Sequence, residues 1–186
     1  MKRWMWLTVL VPVLMTGCAR EDPAMAAALE LRSRCLGAGT VQFRAEITAH
    51  YIDTRESFTL ECSADGENTL SFRAAEPEEI AGITGTVAAD TGTLNFDGTV
   101  LAFPLTAGES VSPVQAPWIM MNALRTGCIT AAVQEGELLH ITVDDGYGED
   151  ALTVDLWARD GAPVEAEISR EGRRCLVMQV ENFGAV

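Results

Sequence analysis

The sequence predicts an α+β domain that consists mostly of antiparallel β-sheet, with one helix before the first strand and a second helix inserted between strands. From Val41 onward, apolar and polar residues alternate with a period of two over most of the chain, as in strands that bury one face. Turn pairs such as Asp65-Gly66 and Asp97-Gly98 separate these runs. Helix start signals stand at Asp22-Pro23 and at Ser112-Pro113.

The N-terminal segment has the pattern of an export signal. A basic start precedes an apolar run over residues 4–16, which is shorter than the roughly 20 residues that a membrane-spanning helix needs. The run closes in Leu14-Met15-Thr16-Gly17-Cys18 and resembles the lipobox of bacterial lipoproteins, in which the cysteine sulfur is diacylated and the signal is cut before it. We therefore predict a signal peptide over 1–17, a lipidated Cys18 with a short tether over 18–22, and one domain over 23–186. The alternatives are a plain signal with a coincidental cysteine, or an N-terminal membrane helix.

The charge of the mature chain limits its partners. The predicted signal removes Lys2 and Arg3, which leaves 11 of the 13 basic side chains against 27 acidic ones, a net charge of −16. Such a surface repels nucleic acid phosphates and anionic lipid head groups. We therefore expect no nucleic acid partner and no polybasic membrane contact, and the acidity by itself favours solubility.

Four cysteines besides Cys18 are possible disulfide partners. An exported chain with an even number of remaining cysteines permits two disulfides, whose pairing the sequence leaves open. The alternative is buried reduced thiols, which pack like small apolar side chains. None of these cysteines has the close spacing of a zinc site, so we predict no metal site there. They are Cys35, Cys62, Cys128 and Cys175.

The first helix begins at Asp22-Pro23 and ends near Gly37. Asp22 is suited to cap the helix and Pro23 to its first turn, and glycine commonly follows a last turn. After it, the alternation predicts eleven strands, over 41–52, 56–63, 69–75, 83–89, 93–97, 99–104, 128–134, 137–144, 150–159, 163–170 and 174–181.

An apolar insertion interrupts the strands after residue 111. Ser112 and Pro113 can start a helix, Pro117 forces a break or a second start, and the segment up to Gly127 is apolar almost all round. A helix without a polar face must be buried or must cover something apolar. Two interpretations stay open: a core helix on the sheet, or a helix whose Trp118 and neighbouring methionines contact an acyl chain.

The remaining polar motifs do not predict an enzyme. The acidic stretch over 144–150 matches a hairpin turn better than a cation site. His50 and His140 both fall in predicted strands, and the chain has no Gly-x-Ser-x-Gly elbow, phosphate loop or dinucleotide fingerprint. We therefore expect a protein without catalytic residues and without a cofactor.

The order of elements resembles the LolA-like fold, an eleven-stranded unclosed β half-barrel whose concave face is covered by helices. The resemblance spans about residues 22–183. Its local features are the first helix leading directly into a long alternating strand, the segment 77–83 that enters the middle strands, and Ser112-Pro113 at the start of the apolar helix. The family includes lipoprotein carriers, an outer-membrane lipoprotein receptor and many membrane-anchored lipoproteins.

The resemblance implies an apolar cavity between the sheet and the helices, where the carriers hold the acyl chains of another lipoprotein. The chain departs from the carriers in having its own anchor at Cys18, and Ser63-Ala64-Asp65 stands where they have Arg-Pro. By this resemblance the cavity wall would consist of Phe43, Ile47, Phe58, Leu60, Phe72, Leu94 and Phe96, and the helical lid would contribute Trp118, Met121 and Leu124.

Two functions follow from the resemblance. The first is an extracytoplasmic lipoprotein, anchored to the cell membrane through Cys18, that binds an acyl chain, a lipid or a lipoprotein. The second comes from the germination lipoproteins of the GerS type, which look like the same fold and activate a cell-wall amidase: a non-enzymatic regulator that binds a cell-envelope protein. A large apolar cavity would favour the first function, and a filled core with an exposed apolar patch the second.

Overall fold

The computed structural model describes residues 22–50, 55–88, 91–104, 111–146 and 151–186. The predicted signal peptide, the lipobox and Cys18 lie outside these residues. Helix α1 spans Pro23–Gly37; Asp22 caps it by accepting a hydrogen bond from the backbone N–H of Ala24 at 3.0 Å. Within the described residues, no helix is long and apolar enough to cross a membrane.

Eleven strands follow within the described ranges, and each overlaps a predicted strand. The strand predicted over 99–104 has the predicted ends, most other ends differ by a few residues, and the predicted ends at 51–52, 89 and 150 lie outside the described residues. The predicted break at Pro117 is a change of helix type: a short 3₁₀ turn over Pro113–Gln115 leads into helix α2, Ala116–Thr126. The strands are β1 (Thr40–His50), β2 (Arg55–Asp65), β3 (Thr69–Glu76), β4 (Thr84–Ala88), β5 (Thr91–Phe96), β6 (Thr99–Pro104), β7 (Cys128–Glu135), β8 (Leu138–Asp145), β9 (Leu152–Arg159), β10 (Ala162–Arg170) and β11 (Arg173–Ala185).

The strands form one antiparallel sheet in the order β6-β5-β4-β3-β2-β1-β11-β10-β9-β8-β7. The first and last strands pair at its centre, with Ile47 opposite Met178, so two meanders extend in opposite directions. Strands β6 and β7 are the edges, and the sheet does not close. The predicted α+β half-barrel is confirmed.

Both helices pack on one face of the sheet, which we call the inner face; the opposite face is the outer face. Residues of β1 alternate strictly, because Val41, Phe43, Ala45, Ile47 and Ala49 are buried while the intervening side chains are more exposed. The inner residues of the strands and the apolar faces of α1 and α2 form one continuous core.

The four described cysteines are free thiols, so none of the possible disulfides forms in this structure. Cys35 and Cys62 are buried in α1 and β2, as the alternative of reduced apolar thiols describes, while Cys128 is exposed on β7. Burial raises the pKa of the Cys35 thiol, against a smaller opposing effect of Arg125 and Arg34, and it also raises the pKa of the Cys62 thiol.

Candidate functional site

One end of helix α2 is fastened to helix α1 by a single arginine. The guanidinium of Arg32 donates hydrogen bonds to the carbonyl oxygens of Leu124 and Gly127, each at 2.7 Å, and to that of Ala123 at 3.4 Å. The Leu124 and Gly127 carbonyls belong to the end of α2, where the helix supplies no N–H partners, whereas the Ala123 carbonyl also accepts from the backbone N–H of Gly127 at 3.0 Å. Arg32 therefore supplies hydrogen-bond donors to the last carbonyls of α2 and fixes the position of this helix relative to α1.

Helix α2 is also hydrogen-bonded to both halves of the sheet, at the turn between β2 and β3 and at the end of β8. Trp118 donates its indole N–H to the carbonyl of Asn68 at 2.8 Å, in the turn between β2 and β3. The Asn68 amide donates to the Asn122 side-chain oxygen at 2.9 Å, and Asn122 donates to both carboxylate oxygens of Asp145 at 3.0 Å. Asn122 is thus a polar anchor in a helix that the sequence presents as apolar.

Most of the predicted cavity residues pack as core, whereas Leu94 and Phe96 lie apart from them on β5. Ile47, Leu60, Met121 and Leu124 are each at most 1% exposed, so they contact protein atoms rather than open space. Phe43 and Phe72 are also buried, and Phe58 and Trp118 are half-buried against the core. The side chains under α2 fill that part of the predicted cavity.

The inner face becomes uncovered toward β5 and β6. One cross-strand row on this face runs from Phe43 through Cys62, Phe72 and Gly85 to Leu94 and Leu101. Along this row, Phe43 and Phe72 are buried, Leu94 is half-buried, and Leu101 is 61% exposed.

Phe96 lies on the same face as Leu94, two residues further along β5, and is 60% exposed. We call Leu94, Phe96 and Leu101 the hairpin patch. Because two of its three large apolar side chains are exposed and the third joins the core, the patch is an apolar surface continuous with the interior.

The edge strand β6 is apolar on both faces. Val100 is 62% exposed and stands opposite Asn95, so it projects from the outer face, whereas its neighbour Leu101 belongs to the hairpin patch. An edge strand also presents backbone donors and acceptors on its open side. Strand β6 therefore offers both an apolar contact and a place for strand addition.

A polar cluster on the outer face of β8 and β9 contains His140. Its ring nitrogens lie 3.0 Å from Asp155 and 3.3 Å from Glu135, and its ring stacks on Trp157 with centroids 4.5 Å apart. Thr142 donates its hydroxyl proton to Asp155 at 2.7 Å rather than to the histidine. The cluster joins neighbouring strands and does not align a hydroxyl nucleophile with the imidazole.

The acidic stretch after β8 is described only up to Gly146, and its other residues lie outside the described ranges, as does the side chain of His50. The carboxylate of Asp145 is occupied by the Asn122 amide. Among the described residues, no group of three or more His, Cys, Asp or Glu side chains is arranged to hold a metal ion.

Sequence reasoning missed Asn122, Arg32 and the His140–Trp157 pair. Periodicity assigns residues to faces, but it does not show which polar side chain reaches across to another element. The one available signal was Asn122 itself, a lone amide among the apolar residues of 116–124.

Solved structures with a similar fold are found, although neither a protein-family model nor a curated protein sequence matches this chain. A DUF1329 family protein from Desulfovibrio piger is 9% identical and has a TM-score of 0.50, covering 88% of this chain and 93% of its own. A LolA superfamily protein from Nitrosomonas europaea is 8% identical with a TM-score of 0.48, covering 88% and 93%.

A third similar structure is that of the CwlD amidase in complex with the GerS lipoprotein from Clostridioides difficile. It is 9% identical with a TM-score of 0.40 and covers 90% of this chain and 98% of that chain. A LolA superfamily protein and the GerS lipoprotein are thus among the structural neighbours, as the sequence resemblance predicted. At these identities the similarity concerns the fold.

Proposed function

We propose that this protein is a non-enzymatic, extracytoplasmic lipoprotein, anchored to the cell membrane through Cys18, that holds an acyl chain on the hairpin patch. The observation that carries the proposal is the continuity between the core and the exposed Phe96 and Leu101 on the inner face. An acyl chain laid on this surface would be removed from water together with the side chains that it covers, at about 0.8 kcal/mol per buried methylene.

The fastening of α2 supports this location. A cavity beneath α2 would require the Arg32, Trp118 and Asn122 hydrogen bonds to break and the packed core to open. The hairpin patch needs neither change. We therefore place the ligand beside the helical cover, with Leu94 at the junction of the two surfaces.

The anchor supports an amphipathic ligand taken from the membrane. The predicted tether over residues 18–22 is so short that the domain would sit against the bilayer surface. At that surface, the available apolar groups are the acyl chains of lipids and of other lipoproteins.

Native mass spectrometry tests the proposal. The mature chain carrying Cys18→Ser is purified without detergent from a lipid-containing host, and we expect a co-purifying mass in the lipid range. Phe96→Glu should remove that mass, because it places a carboxylate in the apolar contact. Val133→Glu is the matched control, since Val133 is also exposed but lies on β7, at the other edge of the sheet. Retention of the lipid by Phe96→Glu would contradict the proposal.

A second candidate function is the binding of a cell-envelope protein through β6, and a filled core with an exposed apolar patch is the arrangement expected for it. The observation that favours it is the exposure of Val100 and Leu101 on opposite faces of an edge strand. A partner strand added to β6 would contact both residues. Val100→Glu separates the two functions, because it should leave acyl binding intact but weaken binding of a partner protein.

A further inference from the structure

A groove lies along the outer face of β1–β5, opposite the helices. Its volume is about 850 Å³, which is within the size range of ligand sites. Most of its lining side chains carry a hydroxyl, an amide or a charge. They include Gln42, Arg44, Glu61, Ser63, Arg73 and Asn95.

Strand register arranges this lining in two cross-strand rows. The first row is charged at one end and neutral at the other: Arg44, Glu61, Arg73, Thr84 and Asn95 stand opposite one another in turn. The second row is neutral and consists of Gln42, Ser63, Ser71, Thr86 and Thr93. Five adjacent strands give the groove a length of about 19 Å.

The two arginines of the groove differ in their surroundings. Arg44 forms an ion pair with Glu76 at 3.1 Å. Arg73 is exposed and makes no hydrogen bond or ion pair with another described residue, although Glu61 stands opposite it in the register. The groove thus presents an available guanidinium in a chain whose net charge is −14.

The chemistry of the lining selects a class of ligand. Hydroxyl and amide side chains both donate and accept hydrogen bonds, as sugar hydroxyls do, and guanidinium groups bind carboxylates in a forked geometry. The lining also includes apolar residues, among them Phe43, Phe72 and Val100, which can pack against the apolar faces of sugar rings. The net negative charge opposes a densely charged polyanion such as nucleic acid. Arg44 and Arg73 stand two strands, or about 10 Å, apart, which suits carboxylates on alternate sugars.

From these observations we propose that the outer groove binds a short, sparsely charged acidic glycan. Arg73 contacts a carboxylate of the glycan, and the second row contacts its hydroxyl groups. The carboxylate of Glu61 repels further negative charges on the glycan and so limits their number. This site is separate from the proposed acyl site, because its polar side chains project from the outer face and the hairpin patch lies on the inner face.

Calorimetric titration with two matched tetrasaccharides tests the proposal on the mature Cys18→Ser chain. The hyaluronan tetrasaccharide carries two carboxylates, and the fully N-acetylated tetraacetylchitotetraose is its neutral counterpart. We expect the hyaluronan probe to bind with a dissociation constant of about 1 mM or lower, and the neutral tetraacetylchitotetraose to bind at least tenfold more weakly. Absence of hyaluronan binding, or equal binding of both probes, would overturn the proposal.

Charge variants identify the site. Arg73→Gln should weaken binding of the hyaluronan probe at least fivefold, and Glu61→Gln should strengthen it about twofold. Arg159→Gln, which removes an exposed arginine at the end of β9, should leave the affinity within twofold. A loss of the same size in Arg159→Gln would show unspecific charge attraction and overturn the assignment.

A peptide control separates a glycan site from a general carboxylate site. An acetylated Ser-Glu-Ser-Glu peptide carries two carboxylates and two hydroxyls on a different backbone. It should bind at least tenfold more weakly than the hyaluronan probe. Equal or tighter binding of this peptide would overturn the glycan assignment.

Discussion

At the scale of single residues, position 85 requires glycine because neighbouring atoms approach its backbone closely. A Cβ atom at this position would overlap the carbonyl oxygen of Thr93 and the ring of Phe72, which lies across the glycine on the inner face. We expect Gly85→Ala to lower the free energy of unfolding by about 1–3 kcal/mol, because the Phe72 ring and β5 must move. Urea denaturation measures the change.

The matched control for this prediction is Gly39→Ala. A Cβ atom at Gly39 meets nothing within 4 Å, so this substitution should change stability by less than about 0.5 kcal/mol. Equal effects of the two substitutions would show that packing over Gly85 does not limit stability.

Because Cys35 and Cys62 are buried thiols, we expect the free energy of unfolding to depend on pH in the alkaline range. The pKa of Cys62 in the folded protein lies above its ordinary value of 9.0 because burial disfavours the thiolate. The unfolded chain therefore releases this proton first, and the stabilisation present below pH 9 is lost as the pH rises further. Lys2 is the sole lysine, so few other groups titrate in this range.

We expect the free energy of unfolding to fall above pH 9 by up to about 1.4 kcal/mol per pH unit for each buried thiol. Denaturant titrations between pH 7 and pH 10.5 measure this slope. Cys62→Ala should make the slope shallower, whatever its effect on stability at pH 7. An unchanged slope in this variant would contradict the assignment to Cys62.

At the scale of elements, Arg32 joins the two helices. Arg32→Met keeps an unbranched side chain but removes all the hydrogen bonds to the end of α2. Bonds from a charged donor contribute about 1.5–3 kcal/mol, so the loss of stability should exceed about 2 kcal/mol in urea denaturation. Arg174→Met is the control, because its ion pair with Glu167 is exposed and should contribute about 0–1 kcal/mol.

The Asn122 anchor tests whether α2 acts as a movable cover. Asn122→Ala removes the bonds to Asn68 and Asp145, so amide hydrogens of α2 should exchange faster, at least tenfold by hydrogen-exchange mass spectrometry. Acyl binding at the hairpin patch should change less than twofold. A strong gain or loss of acyl binding in this variant would place the ligand beneath α2 instead.

Most of the elements could be predicted because they depend on local pattern. Alternation from Val41 shows β1, and Asp22-Pro23 shows the start of α1, since period and capping are properties of neighbouring residues. Ser112 shows the limit of this reasoning. It precedes the 3₁₀ turn as predicted, but its side chain makes no capping hydrogen bond.

At the scale of the whole molecule, the sheet curvature and the packed volume could not be read from the sequence. Inner-face residues such as Ile47 and Leu60 are apolar whether they line a cavity or fill a core, and the pattern is the same in both cases. Phe96 has the periodicity of an inner residue, yet it is exposed because the described helices do not extend over β5 and β6.

The same limit applies to the outer face. Arg44, Arg73 and Thr86 alternate with buried residues and read as a solvated surface. Only the register across five strands, and the shape of the sheet there, turns them into a groove of about 850 Å³. The position of a ligand site therefore depends on the assembled sheet. The strands themselves can be recognised from the local sequence pattern.

The most direct measurement of the central claim is the position of a bound acyl chain. We would record ¹H–¹⁵N spectra of the mature Cys18→Ser chain with 16-doxylstearic acid, whose nitroxide broadens nearby amide signals. We expect the strongest broadening at Leu94, Phe96 and Leu101, and little at Ile119 and Met120 in α2. Broadening centred on α2 and the inner residues of β8 and β9, or none anywhere, would contradict the proposal.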